Sequence, residues 1–356
     1  MVVIRRLAPV VLLGLVAVLA LAPGSASGAG LPAPFRGTSL WVVRASPEDA
    51  ATLTAAARAA GARTLLVKAA EGASPEPQFT PTLVARLRAG GVGVCAWAFD
   101  SGAAPAAEAA AAAAGGAQAG CLVVDAEGEY DCRYRAAQVF VRALRAQLGS
   151  SFPIALAGQA EVLEHPQFPY SVFLGPGGFD ADMPQVYWLD FGQSVAAAFA
   201  NSVPINSIYG RPIVPVGQLY NDPTPSQVAS FGQESALYGL AGRSFFDVDS
   251  ASGEDLAALG QASAGPARVR VRPPTLHAGA DGDEIVWAQE LLDAAGARLP
   301  IGGFFGGQTE RAVVRFQARH RLRRSGLLDA ATWTALERLR AHEPSWRAPP
   351  ALCAAS

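Results

Sequence analysis

The chain has 356 residues, 51% of them hydrophobic, with 28 basic against 30 acidic side chains and a formal net charge of −2. That balance, with no basic stripe in view, argues against nucleic acid as a partner. Lys68 is the only lysine, and arginine use together with the Ala, Gly and Pro load points to a GC-rich, actinobacterial genome.

Residues 1–29 read as a secretory signal: Arg5 and Arg6, then the apolar run LAPVVLLGLVAVLALA, then the small residues SASGA. The run falls short of the ~20 apolar residues that span a bilayer. A secreted or wall-associated monomer is therefore expected, with no stable membrane insertion after cleavage. Cys95, Cys121, Cys132 and Cys353 all lie beyond the signal, and an even count in an oxidising compartment favours disulfides. Cys121 with Cys132 is the expected pair, because both flank one loop. His165, His277, His320 and His342 lack zinc-ligand spacing, so neither a metal nor a cofactor is expected.

From residue 37 to about 262, short apolar runs alternate with helical stretches. The runs are SLWVV (39–43), TLLVK (64–68), VGVCAWAF (92–99), CLVVD (121–125), PIALA (153–157), PQVYWLDF (184–191), PIVPVGQLY (212–220) and SFFDVD (244–249). Nearly continuous apolar runs are what parallel strands buried on both faces require. Ser or Thr followed by Pro at 46–47, 80–81 and 224–225 marks helix starts. The Ala-rich stretch 103–119 reads as a helix packed on the sheet. The expected fold of residues 30–262 is α/β, an eight-stranded parallel (β/α)8 barrel of the TIM type. A doubly wound sheet is disfavoured by the lack of a Gly-rich phosphate loop after the first strand.

In such a barrel the chemistry sits where the strands end. Those ends carry Lys68 and Glu71, Trp97 and Asp100, Asp125 and Glu127, Tyr187, Trp188 and Asp190, Gln218 and Tyr220, and Asp247 and Asp249. Acids and aromatics at so many strand ends suit a carbohydrate cleft. Asp125 and Glu127 stand two apart on the fourth strand and so face the same side. Mutual repulsion would keep one protonated and the other ionised. Glu127 is the expected general acid and Asp125 its charged partner, with the other strand-end residues contacting substrate.

The phrases LVKAAEGA, GVGVCAWAF, VVDAEGEY and FFDVDSASGEDL resemble the strand ends of glycoside hydrolase family 25 lysozymes. The resemblance implies the acid role for Glu127 and a last-strand acid at Asp247. It breaks at Ser39, where the family has an acid on the first strand, and at Trp97 or Ala98, where it has a histidine.

After a Pro-rich spacer (263–279), residues 302–316 and 325–339 repeat one phrase at an offset of 23. Gly303, Thr309, Ala312 and Val313 answer Gly326, Thr332, Ala335 and Leu336. With the helical stretch 283–296, this predicts a three-helix unit over 280–341, with Trp287, Phe305, Phe316 and Trp333 for its core and Asp329 as a helix cap. The phrasing around Val286, Gln289, Leu292, Phe305, Gly306, Gln317 and Trp333 resembles the type 1 peptidoglycan-binding domain. Gly302 and Ser325 replace that family's usual Asp. The resemblance implies peptidoglycan or another wall glycan as partner. Residues 342–356 read as an irregular tail. Three functions follow: hydrolysis of a peptidoglycan glycosidic bond, glycan binding by a catalytically silent barrel, and a wall peptidase using Cys132 with His165 as base.

Overall fold

The computed structural model describes residues 30–261, 266–342 and 344–354. The expected signal segment lies outside them. Strands and helices alternate: β1 (Gly37–Val42), α1 (Ala50–Ala59), β2 (Ala62–Glu71), a two-residue β3 (Ser74–Pro75), α2 (Pro81–Ala89), β4 (Gly93–Asp100) and α3 (Pro105–Ala119). The series continues with β5 (Leu122–Ala126), α4 (Tyr134–Leu148), β6 (Ile154–Gln159), α5 (Tyr170–Leu174), β7 (Ala181–Gln185), α6 (Val195–Asn206), β8 (Val216–Gln218), α7 (Pro225–Leu237), β9 (Gly242–Phe246) and α8 (Gly253–Gln261). The sheet order is β1-β9-β8-β7-β6-β5-β4-β2, and β1 pairs with β2 to close it. β3 folds back antiparallel on the end of β2. The result is a closed parallel barrel of eight strands inside a ring of helices. Among the described residues no helix is long and apolar enough to cross a membrane.

Side chains alternate as a pleated strand demands. Trp41, Leu66, Trp97, Val123, Met183 and Val216 fill the barrel's interior, while Val124, Leu156 and their neighbours face the helices. The Ala-rich stretch is α3, and its composition has a packing reason. A Cβ at Gly115 would lie 2.7 Å from that of Ala69 on β2, so only small residues let this helix approach the sheet. One strand is displaced from expectation. The apolar run 184–191 suggested the sixth strand, but β7 is Ala181–Gln185, with Asp182 buried in it, and Tyr187 to Phe191 form the loop beyond. Burial of Asp182 hid this strand from a search for apolar runs.

The expected Cys121–Cys132 disulfide does not form. Cys121 precedes β5 and Cys132 follows it, and a five-residue strand holds its ends roughly 16 Å apart, beyond the ~7 Å Cα limit of a bridge. Cys121 instead bonds to Cys95 on the neighbouring strand, Cα to Cα 4.9 Å. Cys132 bonds to Cys353, so the C-terminal tail is tied to the start of α4. Gln138 on α4 donates to the Pro344 carbonyl, Trp346 packs on Tyr134, and the Leu352 amide donates to Gly302.

The C-terminal region has α9 (Asp283–Ala294), α10 (Gly307–Arg319) and α11 (Ala330–Leu336). The repeated phrase has a repeated brace. Gln289 accepts from the amides of Gly302 and Gly303 and donates to the Phe304 carbonyl and the Thr309 hydroxyl. Gln317 accepts from Gly326 and donates to the Leu327 carbonyl and Thr332. Gly303 and Gly326 have φ of +79° and +74°, the left-handed backbone that favours glycine. Each buried glutamine thus satisfies the polar groups of one glycine turn and clamps it to the following helix.

This region is docked on the barrel. α5 has only five residues and leaves a gap between α4 and α6, which α9 occupies. Asp283, fully buried at the start of α9, accepts from Tyr134 Oη (2.8 Å), Ser171 Oγ (2.7 Å), the Ser171 amide (2.7 Å) and Tyr209 Oη (2.9 Å). Trp287 Nε1 donates to the Ile208 carbonyl at 2.8 Å. Asp283→Ala would strand buried hydroxyls on α4, α5 and the Tyr209 turn, at roughly 1–3 kcal/mol each. We expect a loss of about 3 kcal/mol or more in urea unfolding of the whole chain.

Burial raises the Asp283 carboxyl to about 6, against the donated hydrogen bonds that favour its ionised form. The folded state therefore holds this proton more tightly than the unfolded state does. The resulting stability is complete below about pH 4 and lost as pH rises through about 6. Asp283→Asn should flatten the pH dependence of unfolding free energy across that window.

Candidate active site

The barrel's carboxyl-terminal mouth is built from inward-facing residues at the ends of β2, β4, β5, β6 and β7. Val123, Asp125 and Glu127 alternate inward along β5, as the i, i+2 rule requires. Asp125 is buried and Glu127 half-buried. Gln185, the last residue of β7, joins them: its Nε2 donates to Asp125 Oδ1 at 2.9 Å and to Glu127 Oε1 at 3.0 Å. Gln159, ending the intervening β6, donates to Glu127 Oε2 at 3.4 Å. Two oxygens bonded to one amide nitrogen at these lengths stand no more than ~6 Å apart. That bound admits the ~5–5.5 Å of retaining carboxylate pairs and falls short of the ~6.5–9.5 Å of inverting ones.

The electrostatics divide the pair. Burial pushes the Asp125 carboxyl well above the usual range, and Glu127 adds to this, while Lys68 and the Gln185 hydrogen bond oppose it. Burial thus works against the ionised form that the expected role of Asp125 as charged partner would need. Lys68 pairs with Glu71 at 2.5 Å and Glu76 at 3.8 Å, and its Nζ lies 5.1 Å from the Trp97 ring centroid. Trp97 is buried, donates to the Val42 carbonyl and meets Trp41 edge-on. Tyr187 is half-buried between Tyr220 and Phe246. Burial, then Asp125, raise its hydroxyl, so it remains a donor.

The remaining expected site residues are distributed differently. Asp190 accepts from Tyr220 Oη and from Asn221, forming a second polar patch beyond β7 and β8. Gln218 is buried and accepts from the Leu189 amide, which orders that loop. Asp247 accepts from Ser250 within its own turn. Asp249 accepts from the Val43 and Arg44 amides and ties the end of β1 to the loop after β9. Two residues point away from the mouth. Trp188 is buried on the helical side against Phe231. Asp100, at the outward position of β4, is buried with both carboxyl oxygens unpartnered; burial, then Glu108, raise it far above the carboxylate range.

Ser39 lies one inward position below Trp41 and is 2% exposed. The place where the family 25 resemblance expects an acid is therefore closed off from the mouth. The peptidase reading fails on Cys132, whose sulfur is committed to Cys353. Gln159 and Gln185 were missed by sequence reasoning. Both were legible only as inward strand-end residues, and the misplaced sixth strand hid Gln185. Gln185→Leu removes the donor that both carboxylates share. The Asp125 titration midpoint, followed by carboxyl carbon NMR, should rise further, because the hydrogen bond that favours its ionised form is gone.

Fold and site together define a TIM-type barrel with a close carboxylate pair at its mouth, joined to a small helical module. Residues 281–336 match the family described as a peptidoglycan binding domain; the barrel lies outside that match. No curated protein matches the chain. Among solved structures, the spore cortex-lytic enzyme SleL of Bacillus cereus is 10% identical with a TM-score of 0.45, covering 63% of this chain and 73% of its own. A chitinase from Chromobacterium violaceum is 14% identical with a TM-score of 0.42, covering 64% and 98%. A family 25 glycosyl hydrolase from Bacillus anthracis is 12% identical with a TM-score of 0.31, covering 42% and 70%.

Proposed function

We propose that the protein is an exported wall hydrolase that cleaves a glycosidic bond of peptidoglycan at Asp125 and Glu127. The observation that carries this reading is that one Gln185 amide nitrogen donates to both carboxylates, which holds them within the reach of a retaining pair. Glu127, the more accessible of the two, delivers a proton to the leaving oxygen. A glycan closing over the mouth excludes water from the pair. Once Glu127 is neutral, its repulsion of Asp125 is gone and Lys68 favours the ionised form. Asp125 then faces the cation-like sugar as nucleophile or stabiliser. Tyr187 supplies a donor on the same wall. The finer reading is a lysozyme-like muramidase. The domain at 281–336 supports delivery to peptidoglycan, and the signal-like N-terminus with two disulfides supports export.

A second reading, a silent barrel that only holds wall glycan, draws support from the burial of Asp125 and the sealed Ser39 position. One experiment divides them. On purified cell wall, Glu127→Gln should cut release of reducing ends by about 100-fold or more, while co-sedimentation with the wall stays unchanged. A parent protein that sediments with the wall and releases nothing sinks the hydrolase and leaves the binding protein.

A further inference from the structure

The chain's near-neutral total conceals a segregated charge. Residues 310–340 contain eight arginines and three acids, a local net charge of +5 in a chain of −2. Arg311, Arg315 and Arg319 recur every four residues along α10, all exposed, while Ala312, Val313, Phe316 and Gln317 face inward. Arg321, Arg323 and Arg324 extend the exposed series through the following turn. The basic stripe found absent in the sequence is thus assembled by one helix and its exit loop.

These arginines have no partner that explains them. Arg319 reaches only the Ala295 carbonyl, and none of the other five is engaged by a carboxylate among the described residues. Like charges one turn apart destabilise a helix, so the row costs stability in the free protein. Glu310, the acid on the same helix, turns toward Gly326. GC-rich coding favours Arg over Lys but does not gather it on one face.

We infer that this face is a second binding surface, for a linear phosphodiester polymer of the cell wall. Successive arginines four residues apart are spaced by about 6 Å along the helix axis, commensurate with the charge repeat of an extended phosphodiester chain of small polyol units. Peptidoglycan stems recur once per disaccharide and hold their carboxylates on flexible peptides, not at a regular repeat that meets successive turns. Guanidinium groups take phosphate oxygens bidentately. A nucleic acid offers similar phosphates, but the two disulfides and the peptidoglycan-binding match favour the wall. The inference does not depend on whether the barrel hydrolyses anything.

The test is fluorescence anisotropy of the full chain with labelled poly(glycerol phosphate). Binding is expected at about 50 mM salt, with a log–log salt slope reporting ~0.7 per phosphate engaged. The variant combining Arg315→Ala, Arg319→Ala, Arg323→Ala and Arg324→Ala should weaken Kd by at least about tenfold and flatten the slope by roughly three. The same four positions changed to Lys should retain most of the binding. No binding, or a salt slope near zero in the parent protein, overturns the inference; so does a variant that is folded and binds like the parent. Single-stranded DNA of matched charge bound about tenfold more tightly would make this a nucleic-acid surface and overturn the wall assignment. Poly-glutamate bound as tightly as the phosphate polymer would overturn the phosphodiester assignment.

Discussion

Asp283 is the interaction on which the arrangement of this protein depends. A barrel with a five-residue α5 leaves outward-facing aromatics on α4, α5 and the Tyr209 turn without cover. α9 supplies the missing helix, and one buried carboxylate receives a donor from each of those three segments. Such a network stabilises only when every member is satisfied. The module therefore cannot leave the barrel without stranding four hydrogen bonds and exposing Trp287. Its first helix serves two cores at once, its own and the barrel's.

That joint changes what a wall-binding module means here. A module on a free linker raises local concentration by an amount that linker length governs. Here the segment from Arg268 to Leu276 is hydrogen-bonded to Leu237 at one end and Leu328 at the other, and the tail is locked by Cys132–Cys353. Orientation, not reach, becomes the variable. On the proposed function, a wall strand held by the module would meet the mouth at one fixed angle and distance.

Much of this was legible in the sequence where a local rule decides it. Seven of the eight strand runs, the Thr80 and Thr224 caps and the Asp329 cap all follow from short-range chemistry. What stayed hidden depended on tertiary context. The Asp182 strand was passed over because a buried, unpartnered carboxyl breaks the apolar pattern. The disulfides pair across neighbouring strands and across 221 residues, separations that no spacing reveals. Asp125 and Glu127 were visible from their parity on one strand, but the residue that sets their distance, Gln185, lies two strands away. Trp188 and Asp100 looked equally functional and point the wrong way, since one residue of register moves a side chain to the opposite face.

The absent acid at Ser39 bears on the charge balance of the mouth more than on its competence. Lys68 pairs with Glu71 and Glu76 and is also the cation that opposes the rise at Asp125. A third inward acid would add to the repulsion that already raises Asp125. Two amides do what that acid would not: Gln159 and Gln185 donate to the carboxylates without adding charge. They hold the pair close while leaving one proton to be shared between unequal sites. Neutral donors thus keep two carboxyls close together at the place where the strands open, which is the arrangement that the proposed hydrolysis would require.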